Sequence, residues 1–358
     1  MINSKSTPFA RVALRGEVPR ELVWFLPMVN LNPFGAGGLD ADFVAAFARR
    51  ARGGWSLSLR TGAAATTTDH GFVCDNAYVA SAFLLSRALN LHEPFLTASE
   101  ESFATIRKAV ALAPSTVNVL IEGETGAGKR SLAELLHRAC HGCGELARVD
   151  CAVPSEVARE LATLAHQRSA GGEAAERVVL LDRLDELRLA DQLALAGAIG
   201  GRRRAVRYFA TSKIAIAQAV ERGVFSSELA GRFGATLKLP PIHRRRADLT
   251  TLARHFLRNA NPLLEFDDGA LAALRAHRFG GNVRELENLT TRLEIYESGD
   301  GARIISAARV SSLLAGAVSV LAAAAKAPPT RISARDKPRA RLRLVASDGR
   351  SMGRATGV

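Results

Sequence analysis

A chain of 358 residues has room for roughly two to three domains and can bury a core without disulfides or metals. With 47% hydrophobic and 23% charged residues it is not a wholly disordered chain. The net charge of +13 favours an anionic partner such as nucleic acid, nucleotide or an acidic surface, but nine basic and two acidic residues in 326–358 carry +7 of it and leave +6 elsewhere. Four cysteines (Cys74, Cys140, Cys143 and Cys151) are too sparse for a disulfide scaffold, which points to a reducing cytoplasm. The first residues, MINSKSTPFARVALRGEV, hold no apolar signal segment, and the most apolar stretch, Val310 to Ala325, is too short and too rich in Ala, Ser and Gly to span a membrane.

Residues 1–94 mix short apolar patches with Gly, Ala and Thr clusters and carry no chemistry-bearing motif; within them, Ala77–Leu91 has helical spacing. Ser99–Leu112 reads as an amphipathic helix capped by Ser99 or Ser102. Val117–Glu122 reads as a buried strand, Gly123–Lys129 as a glycine-rich loop and Arg130–Cys140 as the helix that follows. Ser155–His166 is a further helix, Arg177–Leu181 and Ala205–Thr211 are further strands, and a polar loop occupies Ser169–Glu176. Strands alternating with helices predict an α/β domain with a parallel sheet over 95–240. Only helical patterns follow in 241–300, which predicts a small all-helical lid. An Ala-rich helix over 301–325 and a disordered basic tail over 326–358 complete the expected order.

The sharpest motif is Gly123-Glu124-Thr125-Gly126-Ala127-Gly128-Lys129, which follows a predicted strand and opens a predicted helix. Glycines let the backbone curl so that N–H groups point inward, the helix N-terminus adds partial positive charge, and Lys129 reaches the β- and γ-phosphates. The Ser or Thr that usually follows the Lys and binds Mg²⁺ is Arg130. His137, Cys140, His141 and Cys143 offer metal-type side chains at the end of the next helix, readable as a satisfied helix terminus or as a metal or redox site. The runs Arg202–Arg204 and Arg244–Arg246 read as solvated surface or interface, with a nucleotide-side role open for the second.

LIEGETGAGKR (Leu120–Arg130), LPPIHRRRADL (Leu239–Leu249) and GNVRELEN (Gly281–Asn288), in that order, resemble the AAA+ domain of the sigma-54-dependent bacterial transcription activators over about Phe95–Ile295. The resemblance implies ATP and Mg²⁺ as ligands, with Gly123–Lys129, Arg130 and the sensor-type Arg284 on the nucleotide. It implies Asp182 as the Mg²⁺-side carboxylate and Arg232 as the arginine that reaches a neighbouring subunit's nucleotide. Several positions depart from the family. The Glu that orients the attacking water is Arg183, while the nearby Asp185 and Glu186 are acidic. The Asn that switches that Glu is Asp150, before Cys151. Ser212 stands where a sensor Asn is usual, and Ser226 replaces the first of two arginines. The GAFTGA loop that touches the sigma factor is missing between Cys151 and Asp182, and no helix-turn-helix pattern follows Gly301. The expectation is a divergent transcription regulator that binds ATP, with hydrolysis and sigma-54 contact impaired. It would assemble with itself or with AAA+ relatives and associate with DNA or RNA polymerase. A non-catalytic adaptor or nucleic-acid-binding protein on the same scaffold is the alternative.

Overall fold

A computed structural model describes residues 76–89, 91–140, 145–169, 177–199, 206–297 and 303–315, together with a helical turn and four strands within 12–74. Those strands are β1 (Val12–Gly16), β2 (Phe43–Arg49), β3 (Trp55–Thr61) and β4 (His70–Cys74). They form one sheet in chain order, with β1 parallel to β2 and the other pairs antiparallel. This sheet lies in the segment for which the sequence predicts no structure. Helix α1 (Ala77–Ala88) follows, capped by Asn76, and packs against β3 and β4.

Helix α2 (Glu100–Leu112) resolves the choice of cap: the Ser99 hydroxyl accepts from the Ser102 amide at 3.3 Å. The α/β part then runs β5 (Val119–Glu122), α3 (Lys129–Ala139), β6 (Leu146–Asp150), α4 (Pro154–Ser169), β7 (Arg177–Asp182), α5 (Leu189–Ile199), β8 (Val206–Ser212), α6 (Ile216–Glu221), α7 (Ser227–Ala230) and β9 (Ala235–Lys238). Its five strands are all parallel in the order β6-β7-β8-β5-β9. Alternation along each strand divides the side chains between two buried faces. Val119, Ile121, Val178, Leu180 and Phe209 join one core, while Leu120, Val179, Leu181, Tyr208 and Ala210 join the other. Burial on both faces is why VLI and VVLL read as continuous apolar runs rather than as alternation. The sequence reading lacks β6 and β9, because Arg148, Asp150 and Lys238 interrupt their short apolar patterns.

The lid comprises α8 (Arg246–Ala260), β10 (Leu264–Phe266), α9 (Asp268–Ala276), α10 (Asn282–Glu297) and β11 (Arg303–Ile305). It is not wholly helical: β10 and β11 pair in parallel, Leu264 opposite Arg303 and Phe266 opposite Ile305. Three-residue strands leave no periodic signal, so the sequence assigns 303–305 to the Ala-rich helix instead. Helix begins at 307 and is described to 315, and the rest of that predicted helix and the basic tail lie outside the described residues. Lid residues Leu249, Leu271, Leu286, Leu293 and Val310 share one core with α1, α2, α3 and one face of the main sheet. No described helix is long and apolar enough to cross a membrane.

Candidate nucleotide site

The parallel strands bring four chain positions to one edge. The glycine loop leaves the end of β5, Asp150 ends β6, Asp182 ends β7, and Thr211 lies near the end of β8. Asp150 pairs with Asp182 in register, and Leu181 with Ala210. Crevices beyond the carboxyl ends of such strands are the usual ligand positions of open α/β sheets. Here a cleft of about 470 Å³ opens there, lined by the loop, Lys129, Arg130, Asp182, Arg183 and the lid residue Arg284, among others.

The loop is fixed by close approach. Gly126 has φ +76°, and a Cβ there would lie 2.2 Å from the Gly281 carbonyl oxygen of the lid. A Cβ on Gly123 would lie 2.5 Å from the Leu239 carbonyl oxygen. Only glycine admits both contacts. The Lys129 ammonium donates to the Gly123 and Glu124 carbonyls at 2.7 and 2.9 Å, closing the loop on itself. Burial pushes that ammonium below its ordinary range, while Asp185 and Asp182 pull the other way. First-turn N–H groups of a helix have no intrahelical acceptor, and α3 begins at Lys129, directly after the loop.

The lid grips the loop from the other side. The Asn282 amide donates to Glu124 Oε2 and to the Thr125 carbonyl, both at 3.0 Å, and its oxygen accepts from the Ile242 amide at 2.8 Å. The Val283 amide donates to the Gly126 carbonyl at 3.0 Å. Arg245 donates to the Ala127 carbonyl at 2.6 Å and pairs with Asp248 at 3.3 Å. Arg245 is 3% exposed and Asp248 0%. Asp248 also accepts from the Ala98 and Ser99 amides at 2.6 and 2.7 Å. Arg245 is therefore no solvated surface residue. Its charge is paired and both terminal nitrogens donate, while its Nε is buried without a partner. The runs of arginine hide this, because composition does not say which of Arg244, Arg245 and Arg246 turns inward.

The strand-end side is organised by ion pairs. Arg183 adopts a left-handed backbone, φ +60°, at the head of a short helical turn. Its guanidinium makes a two-pronged pair with Asp150, with Nε at 2.9 Å from Oδ1 and Nη2 on Oδ2. Arg183 and Asp150 are thus partners, which their separation in sequence conceals. Hydrogen bonding from Arg183 holds the Asp150 carboxyl below the usual range against the opposing effect of burial. Glu186 accepts from Lys213 at 2.7 Å and from Arg183 at 3.4 Å. Asp185 accepts from the Lys213 amide at 3.1 Å.

Asp182 is similarly enclosed. Its Oδ1 accepts from the Thr211 hydroxyl at 2.5 Å, and its Oδ2 accepts from Arg130 Nε at 2.7 Å and Arg148 Nη2 at 3.0 Å. Burial alone would raise this carboxyl; Thr211 and Arg130 outweigh it and hold it low. A Mg²⁺ ion needs octahedral oxygen ligands. Guanidinium N–H groups only donate and cannot ligate it. The position after Lys129 carries no hydroxyl; Ser131, one position later, lines the cleft. This donor set fits phosphate and does not fit the Mg²⁺ expected at Asp182.

The structure gathers Gly123, Glu124, Thr125, Gly126, Ala127, Gly128, Lys129, Arg130, Asp182 and Arg284 around the loop and cleft. Arg232 is not among the cleft's lining residues; it stands after α7 and pairs with Glu228 of its own chain at 2.9 Å. At the metal-type cluster, the Cys140 thiol donates to the Leu136 carbonyl at 3.1 Å and receives Arg207 at 3.2 Å. His141 and Cys143 lie outside the described residues, and among those described no three His, Cys, Asp or Glu side chains are grouped to hold a metal.

Residues 96–242 match the family model of the sigma-54 interaction domain, and residues 243–323 match that of the AAA+ ATPase lid domain. Among curated proteins, the transcriptional regulatory protein FlbD of Caulobacter vibrioides is 31% identical over 247 residues, covering 61% of this chain and 54% of that protein. The regulatory protein AtoC of Escherichia coli is 30% identical over 233 residues, covering 57% and 50%. The chain thus spans about half the length of these curated relatives. The solved structure of NtrX from Brucella abortus in complex with ATP has a TM-score of 0.51 at 21% identity, covering 64% of this chain and 60% of that one, a likeness of fold. Together, the two contiguous family matches and the cleft between them identify residues 96–323 as a AAA+ domain of the sigma-54-dependent transcription activators, an α/β part followed by its lid.

Proposed function

We propose that this chain is a transcription regulator that binds ATP in the cleft between the glycine loop and the lid and hydrolyses it slowly at most. The loop, Lys129 and Arg284 supply N–H groups and positive charge for the phosphates, as the ligand of the similarly folded NtrX suggests. The observation that carries slow turnover is the Arg183–Asp150 pair. Phosphoryl transfer to water needs a group that orients the nucleophile, and a guanidinium neutralised by a carboxylate offers neither a base nor an acceptor. The nearby carboxylates do not replace it. Asp182 is held by Arg130 and Arg148, and Asp185 and Glu186 are held by Lys213.

The sequence between α4 and β7 has no GAFTGA loop, so direct contact with sigma-54 through that element is absent from this reading. Regulation would instead run through assembly, with this chain joining copies of itself or a catalytically intact AAA+ relative. Arg232 would exchange Glu228 for a neighbour's phosphate.

The test pairs calorimetric titration with ATP and steady-state phosphate release, on the unmodified chain and on the double variant Arg183→Glu/Asp150→Asn. Saturable binding, with phosphate release by the unmodified chain at or near background and no higher than that of the double variant, is the expected result. Equal, robust turnover by both proteins defeats slow hydrolysis. Absence of binding defeats the nucleotide reading itself.

A further inference from the structure

We propose that this site takes its nucleoside triphosphate as a polyanion free of divalent metal, with the guanidinium groups of Arg130 and Arg148 standing in the place of the cation. The inference rests on the ATP-binding reading above and specifies the form in which the ligand is bound.

Three features carry it. First, both oxygens of Asp182 are engaged by donors: Thr211 at 2.5 Å on one, Arg130 at 2.7 Å and Arg148 at 3.0 Å on the other. A metal ion would have to displace two cations and then sit beside them, against their charge. Second, the electrostatic sum is preserved without a metal. A divalent cation on an aspartate leaves one net positive charge, and two guanidinium groups on an aspartate leave the same. Third, Arg130 is placed for the phosphates. It follows Lys129 in the first turn of α3, lines the cleft, and leaves 48% of its side chain exposed. Arg148 pairs with Asp182 from β6, the edge strand of the sheet, and does not itself line the cleft. It keeps the carboxylate neutralised when Arg130 turns its fork towards phosphate oxygens, a geometry that guanidinium matches with two parallel N–H bonds.

Among the described residues no three His, Cys, Asp or Glu side chains are grouped to hold a metal, although Glu287 of the lid also lines the cleft. Asp150 is paired to Arg183, and Asp185 and Glu186 face Lys213 at 3.7 and 2.7 Å. Magnesium on ATP would shield the charges that Arg130 recognises, so the metal-free nucleotide is the better ligand.

The experiment titrates the full chain with ATP in excess Mg²⁺ and, separately, in EDTA. The expected affinity in EDTA equals or exceeds that in Mg²⁺. In Arg130→Ser, which returns a hydroxyl to the position after Lys129, affinity in EDTA falls by about tenfold or more, while affinity in Mg²⁺ stays within about threefold. Arg148→Ala, on the half-exposed edge strand, gives the same pattern to a smaller degree and guards against misfolding of the first variant. Binding by the unmodified chain that drops about tenfold or more in EDTA overturns the inference and leaves the nucleotide reading standing. Binding in neither condition overturns both.

Discussion

The two sides of the cleft are built from different materials. On the lid side the glycine loop is gripped by backbone and by buried groups: Gly126 against Gly281, Asn282 across two loop residues, and Arg245 with Asp248 behind them. On the strand-end side the contacts are ion pairs reaching towards solvent: Arg183 on Asp150, Arg130 and Arg148 on Asp182, Lys213 on Asp185 and Glu186. The first side is built from the stretches that resemble the family's motifs, LIEGETGAGKR, LPPIHRRRADL and GNVRELEN. The second departs from them, and the departures come as partners. Where the family resemblance implies Asn facing Glu, this chain has Asp150 facing Arg183. Steric fit at Gly126 admits only one residue type, whereas a polar pair at a half-exposed site can be replaced by an ion pair provided both members change.

Substitutions on each side should therefore differ in size. Arg245→Ala removes the cation from fully buried Asp248 and a donor from the Ala127 carbonyl. It should cost about 3–5 kcal/mol, read by denaturant unfolding, and should abolish nucleotide binding. Gly126→Ala forces a Cβ onto the Gly281 carbonyl oxygen at positive φ. A loss of about 2–3 kcal/mol is expected, together with loss of ATP binding by calorimetry. Asn282→Ala leaves the Ile242 amide and the Thr125 carbonyl without their partner and should cost about 1–2 kcal/mol in thermal unfolding. If any of these leaves stability unchanged, the lid does not clamp the loop.

Asp150→Asn on the opposite side should have the smallest effect, and that effect should depend on pH. The folded-state carboxyl is held low, so its contribution is present above the ordinary carboxylate pKa and is lost as pH falls through the lowered value. The difference in Tm between the native chain and Asp150→Asn should thus be positive at neutral pH and close in acid. A difference that grows in acid would show that Arg183 does not hold this carboxylate.

How legible these regions were in the sequence follows from the same physics. The glycine loop announces itself locally, because strand, turn and helix patterns surround it, whereas Asp182 and the GNVRELEN segment stand out through the family resemblance. The main parallel sheet was legible through VLI and VVLL, which are buried on both faces. Pairings across long sequence separations were not. Nothing near Asp150 points to Arg183, nothing in RRR selects Arg245, and LEF and RII are too short to declare themselves as β10 and β11. The four-stranded sheet of β1–β4 was hidden by Gly- and Thr-rich intervening segments that carry no periodic signal.

Asn282 joins three stretches of chain through one amide: the loop at Glu124 and Thr125, the turn at Ile242, and the head of α10. With Gly126 seated against Gly281, the curl of the loop and the tilt of the lid become a single degree of freedom. A ligand that reshapes the loop by a fraction of an ångström is geared directly to the far end of the 16-residue α10, without a relay of intervening side chains. The angle of the lid to the loop is then set by what occupies the loop, and this coupling works whether or not a phosphate bond is ever broken.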